Sequence, residues 1–310
     1  MKDHKLGIVI LNYNTWKETE ECVKSIWKYT SLSYVIYIVD NKSTDDSLEQ
    51  LEILYSGIEN IVVIETGENR GYSAGNNVGI KMATRDSCDI IFIVNSDVEL
   101  LNDAFSYMTD TLLKKDSFMM VGPSVRNNEG REVQLARKKQ TFKYFLLERH
   151  PFCKIPLLKR LGNRSYPLTN KPKEFSFCGS VAGCCFGMRA NDLMEIGYLD
   201  EKVFLYYEED VLAYKMERIG RKAVINTHAK VWHKENISTN KEGGAFVQFH
   251  RWLSVLYLLK EYAEISKASQ IFIALWNTLT WTALSVVSVS HRRMQKEFWK
   301  QNWRIVFHKF

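Results

Sequence analysis

The chain has 310 residues, 45% of them hydrophobic and 25% charged, enough to bury a substantial core and incompatible with a disordered or fibrous polymer. Its six cysteines (Cys22, Cys88, Cys153, Cys178, Cys184, Cys185) form no CxxC pair and follow no secretory signal, so a reducing cytosol is the expected compartment. The net charge of +6 is unevenly placed: Arg131 to Lys173 holds twelve bases against Glu132 and Glu148, and His291 to Phe310 holds six against Glu297, which points to an anionic lipid surface or lipid diphosphate, with nucleic acid as the runner-up.

The first 125 residues alternate strand-like and helix-like segments, the signature of a parallel sheet with crossover helices. Leu6 to Asn12 is an apolar run ending in polar residues, as a strand buried on both faces reads. A helix follows over Trp16 to Tyr29, then a strand over Tyr34 to Asp40. Ser43 or Thr44 can cap the next helix, which runs through Leu48, Leu51 and Leu54. Ile61 to Glu65 is the third strand, a helix around Gly75 to Ala83 comes next, and Ile90 to Asn95 is the fourth strand.

Residues 126–175 lack clean periodicity and contain Pro151, Pro156, Pro167 and Pro172, which predicts a basic loop or insertion in contact with acceptor or membrane. Order returns at Phe175 to Met188. An acidic, aromatic segment from Asp200 to Asp210 leads into a helix ending near Gly220, and Phe246 to Tyr262 reads as an amphipathic helix. Ala268 to Ser290 carries no charge and is long enough to span a bilayer. Thr278, Thr282, Ser285 and Ser288 on one face suit a helix packed on protein or lying in an interface better than a span. In the last helix Arg292, Lys296, Lys300 and Arg304 recur every fourth residue beside Trp299, Trp303, Phe307 and Phe310, an in-plane membrane pattern.

Open α/β sheets bind ligands beyond the carboxyl ends of their strands, and those ends are strongly polar here. They read Asn12-Tyr13-Asn14, Asp40-Asn41-Lys42-Ser43, Asn69-Arg70-Gly71 and Asn95-Ser96-Asp97. Asn69 to Asn77, NRGYSAGNN, offers two glycines where a backbone approaches a ligand, an arginine suited to phosphate, and Asn76. There is no GxGxxG fingerprint and no GxxxxGK[ST] phosphate loop, which excludes nucleotide enzymes of those designs. Adjacent Cys184 and Cys185 read as small buried hydrophobes on opposite faces of a strand.

Six motifs in order, VILNYN, IVDNKSTD, NRGYSAGNN, VNSD, SVAGCCFGMR and LDEKVFLYYEED, make the chain similar to family 2 glycosyltransferases of the bacterial rhamnosyltransferase-like branch. The resemblance implies an α/β GT-A fold, Rossmann-like, with a mostly parallel central sheet, flanking helices and C-terminal membrane-associating helices. It implies a transferase domain over 1–240 and a helical, membrane-associating region over 241–310. Within the first, 1–125 bind the nucleotide-sugar, 126–175 form the insertion and 176–240 carry the acceptor and catalytic half.

By the same resemblance Asp40 reads the base, and Asn12, Asn14, Asn41, Asn69, Arg70, Gly71, Asn76, Asn95, Ser96 and Gly183 line the donor pocket. Asp97 and His233 hold a divalent metal, Mg²⁺ or Mn²⁺, on the donor diphosphate. The family's first metal-motif acid is Asn95 here, one negative charge fewer. Asp210 is the preferred catalytic base with Glu209 beside it, because relatives read YYEDxD where this chain has YYEEDV. The implied reaction is inverting transfer from a UDP- or dTDP-sugar to a glycan acceptor, free or lipid-linked, for surface polysaccharide at the cytoplasmic face of the bacterial plasma membrane. Two alternatives stand beside it: a catalytically inactive homologue serving as an assembly subunit, and a basic RNA-binding protein.

Overall fold

A computed structural model describes residues 4–133, 137–148, 161, 175–234 and 243–308. Most of the basic segment 126–175, with its four prolines, lies outside the described residues. The first half follows the sequence reading: β1 (Leu6–Asn12), α1 (Trp16–Tyr29), β2 (Tyr34–Asp40), α2 (Ser47–Tyr55), β3 (Ile61–Glu65), α3 (Tyr72–Arg85) and β4 (Ile90–Asn95). The strands pair in parallel in the order β3-β2-β1-β4. Their unbroken apolar runs are buried on both faces: Ile8 and Ile10 pack toward Val23 and Ile26 of α1, and Val9 toward Ile80 and Ala83 of α3.

Two local expectations change. Ser43 does not cap α2, because its Oγ donates to Asp40 Oδ2 at 2.6 Å; the helix begins after Asp46. The glycines of NRGYSAGNN serve packing. A Cβ on Gly75 would stand 2.5 Å from Leu11 Cδ1, and one on Gly71, at φ 93°, only 2.3 Å from Phe204 O. These gaps let α3 and its leading loop come close to Leu11 and Phe204.

Beyond β4 come β5 (Val98–Leu100), α4 (Ala104–Lys114), β6 (Phe118–Arg126), β7 (Glu132–Val133), α5 (Phe142–Glu148), β8 (Phe175–Cys178), β9 (Cys185–Arg189), α6 (Ala190–Glu195), α7 (Glu208–Arg218) and β10 (Lys222–His233). The sheet continues β4-β9-β6-β10-β5, and β9 runs antiparallel to both its neighbours. It is therefore parallel in its first half and mixed beyond. The reversal positions the site. Cys185 pairs with Val94, which sets Ala182 to Cys184 beside the carboxyl end of β4. His233, at the end of β10, pairs with Val98 just after Asp97.

The C-terminal helices α8 (Gly244–Glu261), α9 (Lys267–Val287) and α10 (Val289–Phe307) form a bundle with its own core, seated against Val203, Val211 and Tyr214. Trp281 of α9 stacks on Phe298 of α10 with ring centroids 4.1 Å apart, and Asn277 Nδ2 donates to Asn302 Oδ1 at 3.1 Å inside the bundle. Lys267 bonds Val306 O at one end of the pair and Arg292 Nε donates to Ser285 O at the other, so α9 and α10 run antiparallel along their whole length. Of the aromatic side of α10, Trp299 and Trp303 are half-buried against this core, Phe307 is exposed and Phe310 lies outside the described residues.

Among the described residues α9 is the one helix long and apolar enough to cross a membrane by length and composition. Crossing would take α10 with it. Lys296, Glu297 and Lys300 lie exposed mid-helix, and a charge at mid-bilayer depth costs roughly 2.5–3.5 kcal/mol even on the most lenient scale.

Candidate active site

The strand ends β1, β2 and β4, the start of β9, the end of β10 and the start of α7 enclose a cleft of about 510 Å³. Its wall includes Asn41, Asn69, Gly71, Tyr72, Asn95, Ser96, Asp97, Arg137, Gly183, Cys184, Tyr206, Glu208, Glu209 and His233. Of the residues predicted from sequence, Asn41, Asn69, Gly71, Asn95, Ser96, Gly183, Asp97, His233 and Glu209 are thus brought together.

Other predicted residues stand behind the wall or away from it. Asn12 and Asp40 are buried beneath it as its scaffold: Asn12 Nδ2 donates to Asp40 Oδ2 at 2.8 Å, and Ser43 N donates to Asp40 Oδ1 at 2.8 Å. Asn14, at φ 56°, accepts from Thr44 N through its side chain at 2.7 Å and shapes the turn. Asn76 is buried in α3, donating to Tyr72 O at 2.9 Å. Arg70 is exposed and paired with Glu68 and Glu201, at 3.5 and 3.1 Å, instead of pointing into the cleft.

The α7 end carries three acids within one turn, and the helical phase separates their roles. Asp210 is buried below the wall, where its Oδ1 accepts from Gln140 N at 2.6 Å. Glu209 faces the cleft, with Arg137 Nη1 at 3.7 Å from its Oε1. Glu208 lines the same space. Burial, reinforced by the neighbouring Glu209 charge, pushes its carboxyl up to about 8, and its Oε1 has no hydrogen-bond partner among the described residues. The preceding Tyr206 and Tyr207 both occupy the left-handed region at φ 71°, a costly conformation for aromatic residues that aims this turn inward.

On the opposite side His233 Nε2 lies 3.3 Å from Asp97 Oδ1. Burial works against a charged imidazole there, but hydrogen bonds to Asp97 and Cys184 outweigh it and push His233 up to about 10. A metal ion bound between the two would take the place of that proton. No group of three or more His, Cys, Asp or Glu that could enclose a metal occurs among the described residues. One carboxylate and one imidazole fit a divalent ion shared with diphosphate and water oxygens rather than caged by protein.

Sequence reasoning missed several of these groups. Tyr72 Oη lies 3.1 Å from Asn95 Oδ1 and 2.9 Å from Gly183 O, donating to one at a time and fixing the floor between β4 and β9. Arg137 arrives through its bridge to Ser180, a pairing with no local signal. Cys184, set aside as a small hydrophobe, is buried but lines the cleft and bonds His233. Asn77 straps α3 to the segment before α7 through Leu199 O and Glu201.

The family model described as glycosyl transferase family 2 matches residues 7–197. The low-salt glycan biosynthesis hexosyltransferase Agl10 of Haloferax volcanii is 28% identical over 214 residues, covering 69% of this chain and 62% of that protein. The chain thus spans less than two thirds of that relative's length. The N-acetylglucosaminyl-diphospho-decaprenol L-rhamnosyltransferase of Mycobacterium tuberculosis is 21% identical over 274 residues, 83% of this chain and 85% of that one. Among solved structures, GalNAc-T7 with UDP, GalNAc and Mn²⁺ superposes with a TM-score of 0.64 at 14% identity, over 99% of this chain and 58% of that chain, a likeness of fold that makes this architecture GT-A.

Proposed function

Because the chain belongs to glycosyl transferase family 2, we propose that it is a metal-dependent, inverting hexosyltransferase that moves a sugar from a UDP- or dTDP-sugar to a hydroxyl of a glycan acceptor. The acceptor is lipid-linked, as the name of the mycobacterial relative indicates for that protein, and the product feeds surface polysaccharide at the cytoplasmic face of the plasma membrane. On this reading residues 1–240 form the transferase domain, and 241–310 bring it to an anionic membrane surface. One observation carries the proposal: Asp97, His233 and Glu209 face one cleft at the carboxyl rim of the sheet.

Asp97 and His233 would hold Mg²⁺ or Mn²⁺, which when bound neutralises charge on the departing diphosphate. Asn41 and Asn69, whose side chains bond each other at 3.0 Å, line the nucleotide side, while Asp40 and Asn12 hold that strand end in place from behind. Glu209 takes the proton of the attacking hydroxyl. The Arg137 guanidinium stands 3.7 Å from its carboxylate, and Glu208 retains a proton beside it. This assigns the base to Glu209 in place of Asp210, whose carboxylate is spent on Gln140 N.

A thermal-shift screen of nucleotide sugars with and without Mn²⁺ tests the proposal, since a ligand that binds only the folded state raises the melting temperature. Stabilisation by one donor, only in the presence of metal, is the expected result. No response to any donor, or equal response under chelation, overturns it.

A further inference from the structure

The C-terminal bundle reaches the cleft itself. Phe246, in the first turn of α8, is one of the residues that line it, half-buried, with its ring 6.0 Å from that of Phe204, which lines it too. His250, one turn on, stacks on Phe204 with ring centroids 4.2 Å apart. Burial pushes its imidazole down to about 4, so an uncharged ring makes that contact. All of α8 lies beyond residues 7–197, the part of the chain that the family model matches.

Ser254 of α8 makes the most specific link. It is 5% exposed within the buried run Leu253 to Leu259, whose other members are apolar or aromatic, and its Oγ donates to Leu205 O at 2.8 Å. A hydroxyl inside a helix commonly turns back on its own helix, as Thr278, Thr282 and Ser285 of α9 do toward the carbonyls of Ala274, Thr278 and Trp281. Ser254 reaches across to another segment instead. Packing alone asks for no hydroxyl there, and a buried one needs its partner.

What it holds is the approach to the acids. Leu205 directly precedes Tyr206 and Tyr207, both at φ 71°, and α7 starts at Glu208. Two successive aromatic residues in the left-handed region persist only where the chain around them over-determines their conformation. Here Phe204 O accepts from Tyr72 N at 2.8 Å, Leu205 O accepts from Ser254, and Val203 and Val211 are buried in the bundle core on either side. Tyr72 ties the turn to α3, and Ser254 ties it to α8.

We propose that Ser254 is a positioning residue for Glu209: by fixing Leu205 O it keeps the Tyr206 and Tyr207 turn, and with it the first turn of α7, in the orientation that brings the Glu209 carboxylate into the cleft. The catalytic unit then extends through α8 rather than ending at residue 240. This deepens the assignment of Glu209 as base and rests on it.

The test compares Ser254→Thr with Ser254→Val, two side chains of similar shape of which only the first keeps the hydroxyl. Turnover of each full chain is read as nucleoside diphosphate released, with Mn²⁺, from the nucleotide sugar that most stabilises the wild type, with octyl N-acetylglucosaminide as the acceptor probe. Amide hydrogen exchange is read over residues 203–211 and over α9 and α10. Ser254→Val should lower kcat by up to about a hundredfold, as a misplaced catalytic group does, with KM for the nucleotide sugar unchanged. Ser254→Thr should recover most of that loss, and Ser254→Ala, which cannot overfill the site, should follow the Val variant. Exchange over 203–211 should be at least about tenfold faster in Ser254→Val, with α9 and α10 at their wild-type rates.

Equal turnover by the Thr and Val variants would overturn the proposal. So would exchange over 203–211 as slow in the Val and Ala variants as in the wild type, and this comparison decides by itself if the wild type does not turn the probe over. Faster exchange spread evenly through α9 and α10 would make Ser254 a packing residue of the bundle. Glu209→Gln in the same assay keeps the two readings apart. If it abolishes turnover while Ser254→Val does not slow it, the positioning role fails and the base stands; if Glu209→Gln turns over normally, the base assignment fails first.

Discussion

The Asp97 carboxylate and the His233 imidazole meet at 3.3 Å because β5 and β10 pair antiparallel with His233 opposite Val98. Neither residue is placed by its own loop alone. Asp97→Ala should therefore remove the Mn²⁺-dependent part of nucleotide stabilisation altogether, while His233→Gln should weaken metal response roughly tenfold and leave some. Titrating Mn²⁺ into each variant at fixed nucleotide, with melting temperature as the readout, checks both.

Glu209 and Asp210 separate cleanly. Glu209→Gln should lower the transfer rate by about a thousandfold, within the range that general-base removal produces, with donor stabilisation intact. Asp210→Asn should instead cost stability, about 1–3 kcal/mol for the weakened bond from buried Gln140 N, and leave transfer within tenfold of wild type. The reverse pattern would return the base to Asp210.

Glu208 makes stability depend on pH. Its carboxyl is raised from an ordinary value of 4.5 to about 8 by burial and by Glu209, so the folded chain holds a proton that the unfolded chain releases between those values. Stability from this group is present at low pH, falls as pH rises through that window, and levels off above it, a loss on the order of a few kcal/mol. Glu208→Gln, uncharged throughout, should flatten the dependence. Urea unfolding of both proteins at about pH 5 and about pH 9 measures it.

Gly71 should not accept a side chain. It has φ 93°, and an added Cβ would meet Phe204 O at 2.3 Å, a backbone atom that is also held by Tyr72 N at 2.8 Å. Gly71→Ala should cost about 3 kcal/mol or more, strain and clash together. Gly57→Ala, with φ 76° and nothing within 4 Å of the added carbon, should cost only about 1 kcal/mol. Parallel denaturation curves compare them.

The parallel half of the sheet was legible because a strand buried on both faces must be an apolar run, and β1, β2 and β4 end where polar residues begin. β6 and β10 were not. The first contains Gly122 and Pro123, the second interrupts its apolar residues with Asn226, Thr227, His228 and Lys230, and β9 reaches its place between β4 and β6 from a distant part of the chain. No periodicity encodes such an insertion.

The site divides in the same way. Asn95 to Asp97 followed from their place after β4, whereas Arg137 depends on a bridge to Ser180 that no spacing announces. Glu209 and Asp210 could not be told apart by alignment, since one residue of helical rotation decides which enters the cleft. On α10 the sequence showed an aromatic side beside a basic one but not which side the bundle would claim.

The antiparallel seam at β9 has a consequence for turnover. Hydrogen-bonded to β4 on one edge and β6 on the other, it stitches the nucleotide side and the acceptor side into one continuous sheet. Such a floor cannot hinge the way two separate lobes close on a ligand. On the proposed reading, passage of donor and spent nucleotide then falls to the loops above the floor rather than to a lobe movement.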